Sequence, residues 1–334
     1  MDPSCGGPLF SVVVIGYRRP QLIREAIGSV LGQTIRRSAF EMVVVTDFED
    51  EWITRKCLEL GGRHSVMDGS VGAFLAEGVR QSRGTFLCFL DDDDLFHSRK
   101  LEILEREFFR IGGIGYFHNY WTPFESDART RSAPPPLGDI GQQCRIMDKS
   151  PRSFAEVMRK RQWITAFNLS CVSIRRELVT PFLPYLYRIN AATDSFFVAL
   201  GFISSYNVVF SGIPLSCYRV HASYSRPSKT SLEVYCSKIQ EHSSVYIESL
   251  NVIMSMANNT KILPAIASQR LWWELRRCMF ASKKRPRFEA VCEALRSQES
   301  LIKRMETLIT FGMCLLRFTL LYRHVSYIRR SHVG

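Results

Sequence analysis

The stretch that most constrains the fold is Gly84-Thr-Phe-Leu-Cys-Phe-Leu-Asp-Asp-Asp-Asp94. Its apolar part, Thr85 to Leu90, reads as a strand buried on both faces, as in a parallel sheet. Four consecutive aspartates end it. Carboxylates packed that tightly repel one another, and a cation or hydrogen-bond donors must balance them. Ligands of open α/β sheets bind at the carboxyl ends of strands. The run therefore points to a divalent metal, Mn2+ or Mg2+, bridging to a phosphate-bearing ligand. A solvated acidic turn is the plain alternative, since Asp suits turns.

The segments around it alternate. Leu9–Ile15 is a β-branched strand, and Pro20 then opens a helix with Leu22, Ile23, Ala26, Ile27, Val30 and Leu31 at helical spacing. Met42–Val45 is a second strand and Glu49–Leu60 a helix stopped by Gly61-Gly62. A weak strand at His64–Met67, a Gly-rich turn from Asp68 and another helix follow. Strand–helix alternation of this kind predicts a mostly parallel sheet with right-handed crossovers. Tyr17 and Asp47 then fall at the ends of the first two strands, beside the aspartate run. An aromatic to stack on a base, a carboxylate to accept a hydrogen bond from it, and a metal cluster for a pyrophosphate together suit a nucleoside diphosphate. Taken singly, Tyr17 can be a packing residue and Asp47 a helix cap.

These stretches resemble the family 2 glycosyltransferases of the GT-A fold. The resemblance rests on Ser11-Val-Val-Val-Ile-Gly-Tyr-Arg-Arg-Pro20, Ser29-Val-Leu-Gly-Gln-Thr34, Val43-Val-Val-Thr-Asp47 and the Asp91–Asp94 run, and it covers about residues 9–225. It implies an inverting, metal-dependent transfer of a sugar from a nucleotide-diphosphate sugar, a UDP-sugar first, to an acceptor hydroxyl of a sugar or lipid-linked acceptor. Carried over by position, Ile15, Tyr17, Asp47, Asp91 and Asp92 match nucleotide-binding positions, and Asp93 a metal ligand. Three positions depart from the family's habit: Arg18 stands where Asn is common, Thr46-Asp47 where Asp-Asp is common, and Leu75-Ala76 where Arg-Asn is common.

Farther on, His97–Ile111 is an amphipathic helix and Gly115–Trp121 a strand, with a long Pro- and Gly-rich loop over 122–150. Ser153–Lys160 is a short helix and Ile164–Ile174 a strand. Asn207–Phe210 and Ile213–Val220 are two more strands. The resemblance places the catalytic base at Asp194, at the start of the apolar helix after Asn190. An in-line displacement at the anomeric carbon needs a group there to take the acceptor's proton. Simple helix capping by Thr193 or Asp194 is the other reading. Arg219-Val-His221 is similar to the family's closing segment, and His221 is either a second metal ligand or a structural histidine.

The 334 residues carry a net charge of +12. Residues 276–334 hold 13 Lys and Arg against four Glu, nine of those twelve charges. The expected organisation is a catalytic domain over 1–228 and a basic helical region over 229–334. That region lies on an anionic membrane surface, packs on the catalytic domain, or makes a homo-oligomer. The apolar run Leu308–Tyr322 is short and broken by Arg317. Ten scattered cysteines without a CxxC pair exclude a zinc ribbon and fit a reducing compartment. With no secretory leader pattern and no run of ~18 apolar residues, a cytoplasmic chain is expected, at most peripheral on the inner membrane face. No aromatic-studded basic sheet or helix-turn-helix pattern supports nucleic-acid binding. A nucleotidyltransferase of related fold and an inactive nucleotide-binding relative are the remaining alternatives.

Overall fold

The computed structural model describes residues 7–124, 144–159, 168–220 and 231–280, together with Gly312. The described residues form two compact units. One falls within Met1–Ile189 and Thr193–Val220, the other within Asn190–Ala192 and His221–Gly334.

The first unit is a nine-stranded sheet flanked by helices. In chain order it comprises β1 (Phe10–Gly16), α1 (Pro20–Leu31), β2 (Phe40–Thr46), α2 (Glu51–Glu59), β3 (Arg63–Val66), α3 (Val71–Gln81), β4 (Phe86–Asp91), β5 (Leu95–Phe96), α4 (Lys100–Ile111), β6 (Ile114–Phe124), β7 (Cys144–Met147), α5 (Pro151–Arg159), β8 (Val172–Arg175), α6 (Arg176–Val179), α7 (Leu183–Leu186), α8 (Thr193–Ile203) and β9 (Asn207–Arg219). The strand order is β3-β2-β1-β4-β8-β6-β9-β5, with β7 also on β9.

The first four strands are parallel, as their alternation with helices predicts. Every residue of β1 and β2 is buried, which the continuous apolar runs require of strands covered on both faces. One cover is α1, which buries Ile23, Ala26, Ile27 and Val30. Another is α3, whose Gly78 lies so near Val13 that an added Cβ would stand 2.4 Å from its Cγ1. Beyond β4 the sheet is mixed. β8 is antiparallel to both β4 and β6, β6 and β9 run parallel, and β5 and β7 are antiparallel to β9. The expected GT-A-like α/β class holds, with its parallel character confined mainly to the first half.

Several boundaries differ from the sequence expectation. The two strands expected over 207–220 are one, β9, because pairing with β6 continues across a bulge that absorbs the residues around Gly212 and Pro214. The strand expected over 164–174 begins only at Val172, after a turn of 3-10 helix at Leu169–Cys171; residues 160–167 lie outside the described residues. Within the stretch expected as a loop over 122–150, β6 runs to Phe124 and Cys144–Met147 forms β7; residues 125–143 lie outside the described residues. The helix expected from His97 starts at Lys100, because Leu95-Phe96 pairs with β9 and the His97 amide donates to Leu215 O.

The second unit contains α9 (Leu232–Met256) and α10 (Leu263–Phe280), packed through Tyr235, Cys236, Ile239, Cys278, Met279 and Phe280. Trp272 is exposed, and the Arg276 guanidinium lies over its ring and that of Trp273. No helix among the described residues is long and apolar enough to cross a membrane. The apolar run 308–322 lies outside them, apart from Gly312.

Candidate functional site

The carboxyl ends of β1 and β4 and the start of α3 enclose a cavity of about 340 Å3. Ile15, Gly16, Tyr17 and Arg19 line it from the end of β1 and the turn after it, and Asp91 and Asp92 from the end of β4 and the turn that follows. Gly69, Ser70, Val71 and Phe74 line the third side. Parallel register puts these groups together, since Ile15 pairs with Asp91. The start of α3 is held in place by its own polar contacts. Ser70 Oγ accepts from the Ala73 amide at 3.2 Å, and the Gly72 amide donates to Ile189 O at 2.9 Å.

Tyr17 stands 48% exposed at the mouth. Its ring meets Phe74 edge-on at 6.3 Å, and the Arg18 guanidinium covers one face at 4.8 Å. Arg18 has a positive φ of 55°, uncommon for a residue with a side chain. That conformation directs its amide to Asp47 Oδ1, 2.9 Å away. Asp47 therefore anchors the β1–α1 turn. The cap of α2 is instead Asp50, whose carboxylate accepts from the amides of Trp52 and Ile53.

The four aspartates point in different directions. A tight turn, closed by the Asp94 amide donating to Asp91 O at 3.2 Å, separates them. Asp91 and Asp92 face the cavity. Asp92 accepts from the Tyr17 amide at 3.2 Å and from Arg19 Nη2 at 2.8 Å, and Arg19 Nη1 donates to Asp93 Oδ2 at 2.5 Å. Asp94 turns inward and is 1% exposed, and it accepts from the Arg219 amide at 3.0 Å. The buried Arg219 side chain clamps the turn from behind, donating through Nε to Asp93 O at 2.8 Å and through Nη2 to Glu25 at 2.7 Å.

Burial and mutual repulsion raise Asp91, Asp92 and Asp94. Burial, then the charges of Asp94, Asp93 and Asp92, hold the Asp91 carboxyl well above the usual carboxylate range. Burial lifts Asp92 to about 6 against the pull of Arg19, and burial with the Asp93 charge lifts Asp94 to about 7. The turn is therefore short of positive charge, and its donors are hard carboxylate oxygens. Among the described residues no cluster of three or more His, Cys, Asp or Glu side chains is arranged to hold a metal ion. Mg2+-type sites use one or two carboxylates and complete their shell with substrate phosphates and water, so the Asp91–Asp93 edge fits such a cation.

Asp194 lies in the first turn of α8, partly exposed, with Oδ1 accepting from the Ser195 amide at 2.8 Å. Phe197 of the same helix stacks on Phe89 of β4 at 4.4 Å, which ties α8 to the strand that carries the aspartates. The charge of Asp194, after burial, raises the Tyr116 phenol well above its ordinary value. His221 lies outside the described residues.

Ile15, Tyr17, Asp91 and Asp92 thus share one cavity, Asp93 joins them through Arg19, and Asp47 braces the turn that carries Tyr17 and Arg18. Sequence reasoning left out Arg19 and Phe74, and it gave no role to Ser70 at the start of α3. Arg19-Pro20 at a helix start was the one available signal for the first.

The family model for glycosyl transferase family 2 matches residues 11–180, just over half of the chain. An uncharacterized glycosyltransferase of Rickettsia typhi is 30% identical over 105 residues, 30% of this chain and 32% of that protein. The poly(ribitol-phosphate) beta-N-acetylglucosaminyltransferase TarP of Staphylococcus aureus is 27% identical over 101 residues, 28% of this chain and 31% of TarP. The chain thus spans about a third of the length of the curated relatives it matches. The crystal structure of S. aureus TarS 1-349 in complex with UDP matches with a TM-score of 0.55 at 15% identity, over 97% of this chain and 91% of that one. The Pyrobaculum calidifontis mannosyltransferase PcManGT, in complex with GDP-Man and Mn2+, matches with a TM-score of 0.50 at 14% identity, over 99% and 88%. At such identity these two establish the fold, and the family-model match over more than half the length establishes the rest: this chain belongs to the family 2 glycosyltransferases.

Proposed function

We propose that the chain transfers a sugar from a nucleotide-diphosphate sugar, with UDP as the leading nucleotide, to an acceptor hydroxyl, with inversion at the anomeric carbon. The observation that carries this is the convergence of Tyr17, Asp91 and Asp92 on one cavity at the carboxyl ends of parallel strands. The Tyr17 ring offers a stacking face for a base, and Asp47 holds the turn that presents it. Asp92 and Asp93 would hold a Mn2+ or Mg2+ ion, which when bound neutralises charge on the departing diphosphate. His221 is a candidate further ligand on sequence grounds alone.

Asp194 is the proposed general base. It takes the proton of the acceptor hydroxyl as that oxygen bonds to the anomeric carbon and the bond to the diphosphate oxygen breaks. Support for the donor class comes from the named ligands of the fold neighbours, UDP for TarS and GDP-Man with Mn2+ for PcManGT. TarP acts on poly(ribitol-phosphate) according to its name, which favours a cell-surface polysaccharide as the acceptor class here. The first unit is the proposed catalytic part. An anionic membrane surface is the proposed neighbour of the basic region beyond residue 229.

Donor hydrolysis tests the assignment. The wild type should release UDP from a UDP-sugar in the presence of Mn2+. Asp194→Asn should bind UDP unchanged yet lose ~10²–10⁴-fold in transfer rate. Full transfer by Asp194→Asn would remove the base from this assignment, and an acceptor product retaining the donor's anomeric configuration would contradict inversion.

A further inference from the structure

Arg19 occupies an unusual place. It precedes Pro20, the first residue of α1, and its carbonyl accepts from the Ile23 amide, so its backbone is fixed. Its side chain is 42% exposed and can turn without disturbing the core. The guanidinium forks across two adjacent carboxylates, Nη2 to Asp92 at 2.8 Å and Nη1 to Asp93 at 2.5 Å. Among the described residues that line the cavity it is the only cation, against two acids, Asp91 and Asp92. A ligand with two phosphates would add further negative charge there. The oxygens that the guanidinium holds are the ones a divalent cation would need. Two positive groups on one pair of oxygens repel at contact distance, so occupation by one opposes occupation by the other.

We propose that Arg19 is an exchangeable counter-ion of the acidic turn: it competes with the divalent cation for the Asp92–Asp93 edge and, when displaced, turns its guanidinium onto the donor's phosphates in the same cavity. This rests on the donor-site assignment above. Arg suits both roles, because its planar fork matches a carboxylate pair and a phosphate equally well. The device links two events. Metal arrival frees this cavity-lining cation, and phosphate arrival gives it a new partner. Nucleotide and metal should therefore bind with positive coupling, which the exchange at Arg19 strengthens.

The test uses the full chain, with Mn2+ alone and then UDP as probes. Mn2+ binding is read by electron paramagnetic resonance and UDP binding by calorimetry. Arg19→Gln should bind Mn2+ alone ~10-fold more tightly than the wild type, a like-charge contact of that size being ordinary. At saturating Mn2+ it should bind UDP ~10-fold more weakly. Arg19→Lys, which keeps the charge and loses the fork, should fall between them in both assays, and serves if Arg19→Gln does not fold. Mn2+ affinity equal to or below that of the wild type in both variants would overturn the exchange while leaving the donor site standing. A wild type that binds neither UDP nor GDP at any Mn2+ concentration would overturn the donor-site assignment, and this proposal with it.

Discussion

The main-chain amide of Arg18 donates to the carboxylate of Asp47 at 2.9 Å, joining the ends of β1 and β2 through a residue in left-handed conformation. The contact is local in space and remote in sequence. It fixes where the Tyr17 ring and the Arg19 guanidinium emerge, and so shapes the mouth of the cavity. A side chain in this conformation costs on the order of 1 kcal/mol. Arg18→Gly should therefore raise unfolding free energy by about 1 kcal/mol in urea, and Arg18→Asn by less. A loss of stability in Arg18→Gly would show that the guanidinium over Tyr17 outweighs the backbone strain.

Gly72 sets the position of the third wall. A Cβ added there would stand 2.1 Å from Leu186 O and 2.2 Å from Ile189 O, both main-chain atoms that cannot rotate away. Gly72→Ala should cost roughly 1–3 kcal/mol of stability, as overpacking does, and push the start of α3 away from its neighbours. Because Ser70 and Val71 line the cavity, UDP affinity should fall as well. A variant as stable as the wild type, with unchanged UDP affinity, would contradict this.

Lys100 gives a pH signature. It is fully buried, and Nζ donates to Ser170 O at 2.6 Å and to Ser216 Oγ at 3.0 Å over the Phe96 ring. Burial pushes its ammonium down to about 8 from 10.5. Between those values the folded chain has released a proton that the unfolded chain still holds. The stability this residue contributes is therefore complete above about 10.5 and is lost as pH falls through about 8. The full difference is on the order of 3 kcal/mol. Measured against Lys100→Met, which cancels titrations common to both chains, the wild type should gain ~1–3 kcal/mol between pH 7.5 and pH 10. A difference that stays flat with pH would mean the ammonium is not desolvated as the structure has it.

The core of the first unit was legible because its strands are continuous apolar runs, which leave a chain few places to go. The aspartate run was legible for the opposite reason, since four charges at the end of a buried strand demand an explanation. What stayed hidden was direction. Nothing in Asp91-Asp92-Asp93-Asp94 says that Asp94 turns inward to the Arg219 amide while Asp92 and Asp93 meet Arg19; the turn and its distant partners decide that. Arg19 itself reads as an ordinary charged residue at a helix start, and its role follows from a contact 74 residues away in sequence. The second half of the sheet was harder because its pairing is tertiary. The stretch around Ser211-Gly212 breaks the local strand pattern, yet β6 pairs β9 on both sides of it and β7 pairs the 208–211 side.

The most direct measurement is calorimetric binding of UDP to the full chain with and without Mn2+, beside Asp93→Ala. A donor site built on the acidic turn predicts Mn2+-dependent binding in the wild type, and loss of that dependence in Asp93→Ala, whose carboxylate is one of the two that Arg19 holds. Binding that ignores both Mn2+ and Asp93, or no binding of UDP and GDP under any condition, would contradict the assignment of this cavity to a metal-bound nucleotide-sugar.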